Sequence, residues 1–213
     1  MKLLLVGGGG HCRSVIDSLN KTGFDNIGII DKEENKEKNI YGVPYIGSDE
    51  NFQELRNKGY THAIITVGSI GNTEHRKRLQ LMLSQYGYQF FSVVDSSSIV
   101  SEHASIGQGC FVGKGAIINA GVVISDHCII NSGVVLDHDV RVESFVHIAP
   151  GSSISGGVKI SSSAHIGTGS SVIQGISVGC NTIVGAGSVV LSDLPDAVVA
   201  YGNPCKIVRR RED

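Results

Sequence analysis

The second half of the chain repeats a hydrophobic position at every sixth residue. From Val94 to Val190 each of these positions is Ile, Val or Leu, and the residue four places later is small or branched. An α-helix cannot hold one stripe at this period, because the stripe would precess around the helix. A six-residue unit is typical of one side of a β-solenoid that turns a corner at each repeat. Three sides predict a triangular coil in which residues about 18 apart, such as Cys110 and Cys128, stack at roughly 4.8 Å.

The first ninety residues alternate short apolar runs with segments of helical spacing. The pattern predicts strands at 3–6, 27–30, 62–67 and 90–94 and helices at 12–21 and 74–86. In the second helix Leu79, Met82 and Leu83 face inward and the basic residues 76–78 face outward, while residues 32–39 form a charged, exposed loop. This alternation predicts a small parallel sheet with covering helices.

The change of period predicts a Rossmann-like α/β domain over 1–92, a β-helix over 93–192 and a C-terminal extension over 193–213. With Lys and Arg at 18 and Asp and Glu at 20, a net charge of -2 gives no general attraction to nucleic acid or an anionic membrane. No apolar run approaches the roughly 18 residues of a membrane span, and no secretory signal is recognisable. The five cysteines are scattered, which predicts neither disulfides nor a zinc ribbon. We expect a cytoplasmic protein.

Four consecutive glycines, 7–10, follow the first predicted strand and open the first predicted helix. Backbone N–H groups at a helix N-terminus suit phosphate or another anion. Asp31 ends the next strand, about where a ribose-binding acid stands in dinucleotide folds. The full G-x-G-x-x-G pattern fails because position 12 is Cys. We interpret the loop as a truncated nucleotide site, with a purely structural turn as the alternative.

The repeats resemble the left-handed parallel β-helix of the hexapeptide-repeat acyltransferases. The tail 201–209 resembles that family's closing G-x-P-A-K-x-I-R, with Cys205 in place of the usual Ala. The segment 6–11 resembles the G-x-x-G-H loop of the subgroup that contains bacterial nucleotide-amino-sugar N-acetyltransferases and sialic acid O-acetyltransferases. The resemblance covers essentially the whole chain. It implies acetyl-CoA as co-substrate, a nucleotide-linked amino sugar or related sugar as acceptor, and a homotrimer.

The resemblance also implies which residues bind the sugar nucleotide. They are Gly9, Gly10, His11, Asp31, Lys32 and Gly68. Lys32 departs from the family, which often has a second acid there. Asn131 matches an Asn near the family's reacting centre, although an Asn at a corner turn is an equally good interpretation.

His138 lies between two acids, Asp137 and Asp139, two residues after an inward Leu136, so its side chain should point outward. Acyl transfer from a thioester needs a base, and imidazole titrates near neutrality. A neighbouring carboxylate can orient the ring and raise its basicity. The resemblance makes His138 the catalytic base and Asp139 its acid. Asp139 is one methylene shorter than the usual Glu, so Asp137 is the alternative partner.

For acetyl-CoA the resemblance implies a set of four contacts: His147, Gly156, Thr168 and Ala186. The N–H of Gly156 is a candidate donor to the thioester oxyanion. His147 lies half a coil from His138, so the two can share a cleft only if a neighbouring copy supplies one of them.

The other histidines and the basic tail are interpreted from their place in the repeat. His165 is expected to stack on His147 as its neighbour in the next coil. His103 and His127 are expected at turns that face solvent. Residues 209–211 either contact the phosphates of CoA or form a solvated tail.

The predicted function is acetyl-CoA-dependent N-acetylation of a nucleotide-linked amino sugar by direct attack, with no metal. Three alternatives stay open: a sugar O-acetyltransferase of the sialic acid type, a non-catalytic nucleotide-sugar-binding solenoid, and a zinc lyase of the carbonic-anhydrase type. The zinc lyase would use His147, His165 and a neighbour's His138.

Overall fold

The computed structural model describes residues 1–19, 23–35 and 39–211. The N-terminal part of the chain folds into a six-stranded sheet with three α-helices. Its strands are β1 (Lys2–Val6), β2 (Asn26–Ile30), β3 (Asn39–Ile40), β4 (Val43–Gly47), β5 (Tyr60–Ile65) and β6 (Gln89–Phe90). The helices are α1 (Gly10–Ser18), α2 (Phe52–Asn57) and α3 (Glu74–Gln85), with 3-10 turns at Glu33–Asn35 and Asp49–Asn51. The strand order is β3-β4-β2-β1-β5-β6, and only β3 and β4 pair antiparallel.

Strand β1 is central and buried on both faces, which explains its unbroken apolar run. Leu3 and Leu5 pack into the cluster that holds α1, and Leu4 and Val6 pack into the cluster that holds α2 and α3. The first three predicted strands and both predicted helices are present, but the strand predicted over 90–94 is divided into Gln89–Phe90 and Val93–Val94, which belong to different sheets. The hairpin β3–β4 and helix α2 were not predicted. Of the loop predicted over 32–39, residues 36–38 lie outside the described residues, as do residues 20 and 21 of the first predicted helix.

The second part is a triangular β-helix with two-residue strands on each side. Its first side contains β7 (Val93–Val94), β10 (Phe111–Val112), β13 (Ile129–Ile130), β16 (His147–Ile148), β19 (His165–Ile166) and β22 (Ile183–Val184). The second contains β8 (Ile99–Val100), β11 (Ile117–Ile118), β14 (Val135–Leu136), β17 (Ser153–Ile154), β20 (Ser171–Val172) and β23 (Val189–Val190). The third contains β9 (Ser105–Ile106), β12 (Val123–Ile124), β15 (Arg141–Val142), β18 (Lys159–Ile160) and β21 (Ser177–Val178).

The register of these strands confirms the predicted triangular coil, because the parallel partners are the residues that the repeat aligns. Phe111 pairs with Ile129, and His147 pairs with His165. Cys110 and Cys128 are both fully buried inside the prism, as predicted. At the first coil the inward Val94, which pairs with the buried Val112, is still 42% exposed. No earlier coil covers this open end of the solenoid.

The α/β part packs on the outer face of the first side. Val93, Phe111 and Ile129 point out of the prism and join the cluster around Leu3 and Leu5. The first side continues into β24 (Val198–Tyr201), which pairs antiparallel with β25 (Lys206–Arg210). Within the described ranges, no helix is long and apolar enough to cross a membrane.

Two predictions fail at the corner between the third and first sides, because α3 packs against it. Arg76, expected on the surface, is 1% exposed and donates from Nη2 to the carbonyl oxygen of His127 at 2.8 Å. His127, expected in solvent, is 5% exposed, with its ring between Phe90 and Phe145. A helix that covers a corner removes both side chains from solvent, which a one-dimensional pattern does not reveal.

Candidate active site

The glycine loop forms one wall of a cleft of about 450 Å³ at the carboxyl ends of β1, β2 and β5. After β2 the chain crosses to the other side of β1 to add β5, so the strand order reverses at β1. Open α/β sheets bind ligands at such a switch point. The cleft is lined by all six of the predicted sugar-nucleotide residues together with Gly7, Gly8, Glu34, Thr66, Val67 and His75.

Asp31 holds the loop in place. One carboxylate oxygen accepts the Gly8 N–H at 2.8 Å, and the other accepts the Lys32 N–H at 2.7 Å. Helix α1 begins at Gly10, and its N-cap, Gly9, provides no side-chain cap. A Cβ on Gly9 or Gly10 would meet open space, so the loop leaves room beside the helix N-terminus for a ligand.

His11 joins this cleft to the β-helix. Its ring packs edge-on against Phe111 with centroids 5.0 Å apart. Burial, with smaller contributions from Arg76 and His147, lowers the pKa of His11 to about 3. The ring is therefore neutral at physiological pH, and within the described part of the chain its buried Nε2 makes no hydrogen bond.

His138 lies on the corner between the second and third sides, with 58% of its side chain exposed. Its Nδ1 is 3.0 Å from Oδ2 of Asp139, which raises the pKa of His138, and Asp137 raises it further. Asp137 instead accepts the backbone N–H of His138 at 2.8 Å and an amide hydrogen of Asn119 at 3.3 Å. Asp139 is thus the residue that orients the ring, and Asp137 holds the turn.

Gly156 lies one coil above His138 on the same corner. A Cβ at this position would lie 2.4 Å from Nε2 and 2.5 Å from Cε1 of His138. The next residue, Gly157, donates its N–H to the carbonyl oxygen of His138 at 2.9 Å. The absence of a side chain at Gly156 therefore leaves space for the imidazole and keeps its Nε2 accessible.

The remaining predicted residues lie on the first side or on the corner that follows it. Asn131, Thr168 and Ala186 occupy that corner in three different coils, of which those of Thr168 and Ala186 are adjacent, and His147 points outward from β16 toward the α/β part. His147 Nδ1 is 2.6 Å from the carbonyl oxygen of Ser69, and its Nε2 is 3.4 Å from Nδ2 of Asn131. Burial lowers the pKa of His147.

The predicted residues therefore form two groups within one chain. His138, Asp139 and Gly156 share one corner, and the other predicted residues belong to the cleft, the first side and the corner after it. His165 stacks on His147 as predicted, with ring centroids 4.8 Å apart. Burial lowers the pKa of His165 to about 4.

The sequence did not point to Ser69. The Ser69 atom that contacts His147 is a main-chain carbonyl oxygen, for which a sequence carries no side-chain signature. Phe111, which contacts His11, was visible only as one of many apolar positions. Among the residues that the structure describes, no cluster of three or more His, Cys, Asp or Glu side chains is arranged to hold a metal.

Comparison with known proteins adds two family matches. Residues 2–83 match the PglD N-terminal domain, and residues 103–138 match the bacterial transferase hexapeptide, in six repeats. A histidine-to-asparagine variant of perosamine N-acetyltransferase from Caulobacter crescentus, in complex with CoA and GDP-perosamine, is 36% identical, with a TM-score of 0.90 over 100% of this chain and 98% of that one. The chain belongs to the nucleotide-amino-sugar acetyltransferase family.

Two further solved structures are similar to this chain. The acetyltransferase domain of PglB from Neisseria gonorrhoeae, in complex with acetyl coenzyme A, is 31% identical, with a TM-score of 0.89 over 97% of this chain and 98% of that domain. WeeI from Acinetobacter baumannii is 23% identical, with a TM-score of 0.83, and shows the same fold over 98% of this chain and 100% of its own. A search of the curated proteins found no match. The predicted fold and acetyltransferase activity are confirmed, which removes the zinc lyase and the non-catalytic solenoid as interpretations.

Proposed function

We propose that this acetyltransferase transfers the acetyl group of acetyl-CoA to the amine of a nucleotide-linked amino sugar, with His138 as the general base. The observation that carries the proposal is the exposed imidazole whose Nδ1 is bound to Asp139 at 3.0 Å, beneath a glycine that leaves its Nε2 clear. The relative from Caulobacter crescentus holds CoA and GDP-perosamine, so the family accommodates both kinds of ligand.

The proposed chemistry needs no covalent enzyme intermediate. With the proton on Nδ1 held by Asp139, the Nε2 of His138 accepts a proton from the amine as its nitrogen bonds to the thioester carbon. Collapse of the tetrahedral intermediate breaks the C–S bond, and His138 returns the proton to the departing thiolate of CoA. In the described residues the N–H of Gly156 donates to no other group. It is the proposed donor to the oxyanion.

The acceptor nucleotide is proposed to lie in the 450 Å³ cleft. The N–H groups at the start of α1 suit a diphosphate, because the N-terminus of a helix carries partial positive charge. We assign the six predicted sugar-nucleotide residues that line the cleft to this ligand. We assign Thr168, Ala186 and His147 to acetyl-CoA.

We further propose that the complete site forms between copies in a homotrimer. His138 lies on the corner between the second and third sides, whereas the cleft lies over the first side. These positions support a site in which the base of one copy acts on the sugar bound by another. A cyclic assembly that sets the corner of one copy against the cleft of the next brings the two halves together.

The test is a thiol-release assay with acetyl-CoA and GDP-perosamine, a UDP-linked 4-amino sugar or sialic acid. We expect thiol release with a nucleotide-linked amino sugar, and mass spectrometry should find the acetyl group on nitrogen. His138→Ala should lower kcat by roughly 10²–10⁴-fold. His103→Ala, at an exposed turn, is the matched control. Undiminished activity of His138→Ala, or acetylation of sialic acid alone, would contradict the proposal.

A further inference from the structure

The loop that follows β5 connects the cleft to His147. Thr66, Val67 and Gly68 line the cleft. Ser69, the next residue, is buried, and its carbonyl oxygen lies 2.6 Å from His147 Nδ1. A carbonyl oxygen can only accept a hydrogen bond, so Nδ1 of His147 must carry the proton.

Asn131 fixes the same proton position independently. Its Oδ1 accepts the backbone N–H of Ser132 at 3.0 Å, which turns its amide nitrogen toward His147 Nε2 at 3.4 Å. An amide N–H₂ is a donor, so Nε2 of His147 is the acceptor. At 3.4 Å this hydrogen bond is long, which leaves Nε2 available to a stronger donor.

The surroundings of His147 keep the ring neutral. Burial lowers the pKa of His147; the hydrogen bond to the Ser69 carbonyl opposes this effect, and the nearby Arg76 guanidinium adds to it, so the net shift is downward. His165 packs edge-on against the ring and is itself held neutral by burial, as is His11. A second ring proton on His147 would therefore be poorly stabilised, and Nε2 keeps its lone pair.

We infer that His147, which lies beside the acetyl group of acetyl-CoA in the proposed site, is held by the Ser69 carbonyl as a fixed hydrogen-bond acceptor that selects an amine over a hydroxyl as the acetyl acceptor. This inference rests on the proposed function. An attacking amine directs its lone pair at the thioester carbon and has two N–H groups, one for Nε2 of His138 from the adjacent copy and one for Nε2 of His147. A hydroxyl has one hydrogen, which goes to His138, so its second lone pair would face the lone pair of His147.

The tautomer is tested first, without substrate, by ¹⁵N NMR of the histidine rings of the full-length enzyme, with His147 assigned from the His147→Gln spectrum. We expect His147 to be neutral, with the proton on Nδ1, at pH 7. A proton on Nε2 would overturn the inference. Because this measurement needs no turnover, it remains decisive even if the proposed acetyl transfer fails.

Selectivity is tested with GDP-perosamine and the matched GDP sugar in which a hydroxyl replaces the amine. In His147→Gln the amide can rotate to present either a donor or an acceptor, so the ratio of kcat/KM for amine over hydroxyl should fall by about tenfold to a hundredfold. In His147→Asn the amide can still reach Ser69 but leaves nothing at the Nε2 position, so the ratio should also fall.

His103→Gln is the control, because its side chain is exposed and distant from the cleft. It should keep the wild-type ratio. A ratio within twofold of wild type in a folded His147→Gln enzyme would overturn the selectivity role, whatever the absolute rates.

Discussion

Replacing Gly156 by Ala should disable the base without unfolding the protein. The new Cβ would lie 2.4 Å from Nε2 of His138, where ordinary contacts begin at 3.4 Å, so the ring must retreat by about 1 Å. The ring is exposed and can move, and Gly156 has no left-handed backbone. We therefore expect the free energy of unfolding to change by no more than about 0.5 kcal/mol. A displacement of 1 Å at a catalytic group can cost about 10²-fold.

The assay is the initial rate of thiol release, with melting temperature as the check on folding. We expect kcat to fall by about 10²-fold in Gly156→Ala. Because the loss acts through His138, the same substitution in a His138→Ala background should change the residual rate little. A full additional loss in that background would show that Gly156 acts independently of the imidazole. A wild-type kcat in Gly156→Ala would refute the proposal that Gly156 leaves the space that the His138 imidazole needs as the base.

Three other substitutions or conditions test separate parts of the account. Asp139→Asn keeps a residue that tolerates the positive φ at this position but removes the charge that raises the pKa of His138, so the acidic limb of the pH–kcat profile should move to lower pH. Burial lowers the pKa of both His127 and His165 to about 4. As pH falls, these two histidines are therefore protonated in the unfolded chain before they are protonated in the folded protein. The free energy of unfolding, measured in urea, should fall by up to about 1.4 kcal/mol per pH unit for each histidine as pH falls from about 6.5 to 4. In His127→Phe the contribution of His127 to this pH dependence should be absent. Gly10→Leu should fill the open cleft and raise the KM for the nucleotide sugar, measured by thiol release, with little change in melting temperature.

The repeat made the β-helix predictable because each hexad is one wall of the prism and places one aliphatic in the core. The strands, the stacked cysteines and the outward position of His138 follow from that spacing alone. The prediction failed where a tertiary contact changes the environment of a residue. Arg76 and His127 are polar and sit at surface-like positions, but α3 and the solenoid corner bury them against each other.

The sequence was enough to predict the side chains of the candidate site, but not which of them contact one another. A glycine run after a strand and a histidine flanked by acids are visible in one dimension. The choice of Asp139 over Asp137 as the partner of His138 depends on which carboxylate the turn directs at the ring. The contact between His147 and the Ser69 carbonyl joins residues 78 positions apart, and its acceptor is backbone.

The most direct test of the shared site mixes two variants that are each inactive when the nucleotide sugar is kept well below the raised KM of Gly10→Leu. His138→Ala lacks the base but keeps its cleft, and Gly10→Leu blocks the cleft but keeps the base. If each site combines the cleft of one copy with the base of the next, equal co-expression should restore about a quarter of wild-type thiol release. If cleft and base of the same chain react together, the co-expressed enzymes will remain as inactive as each variant alone.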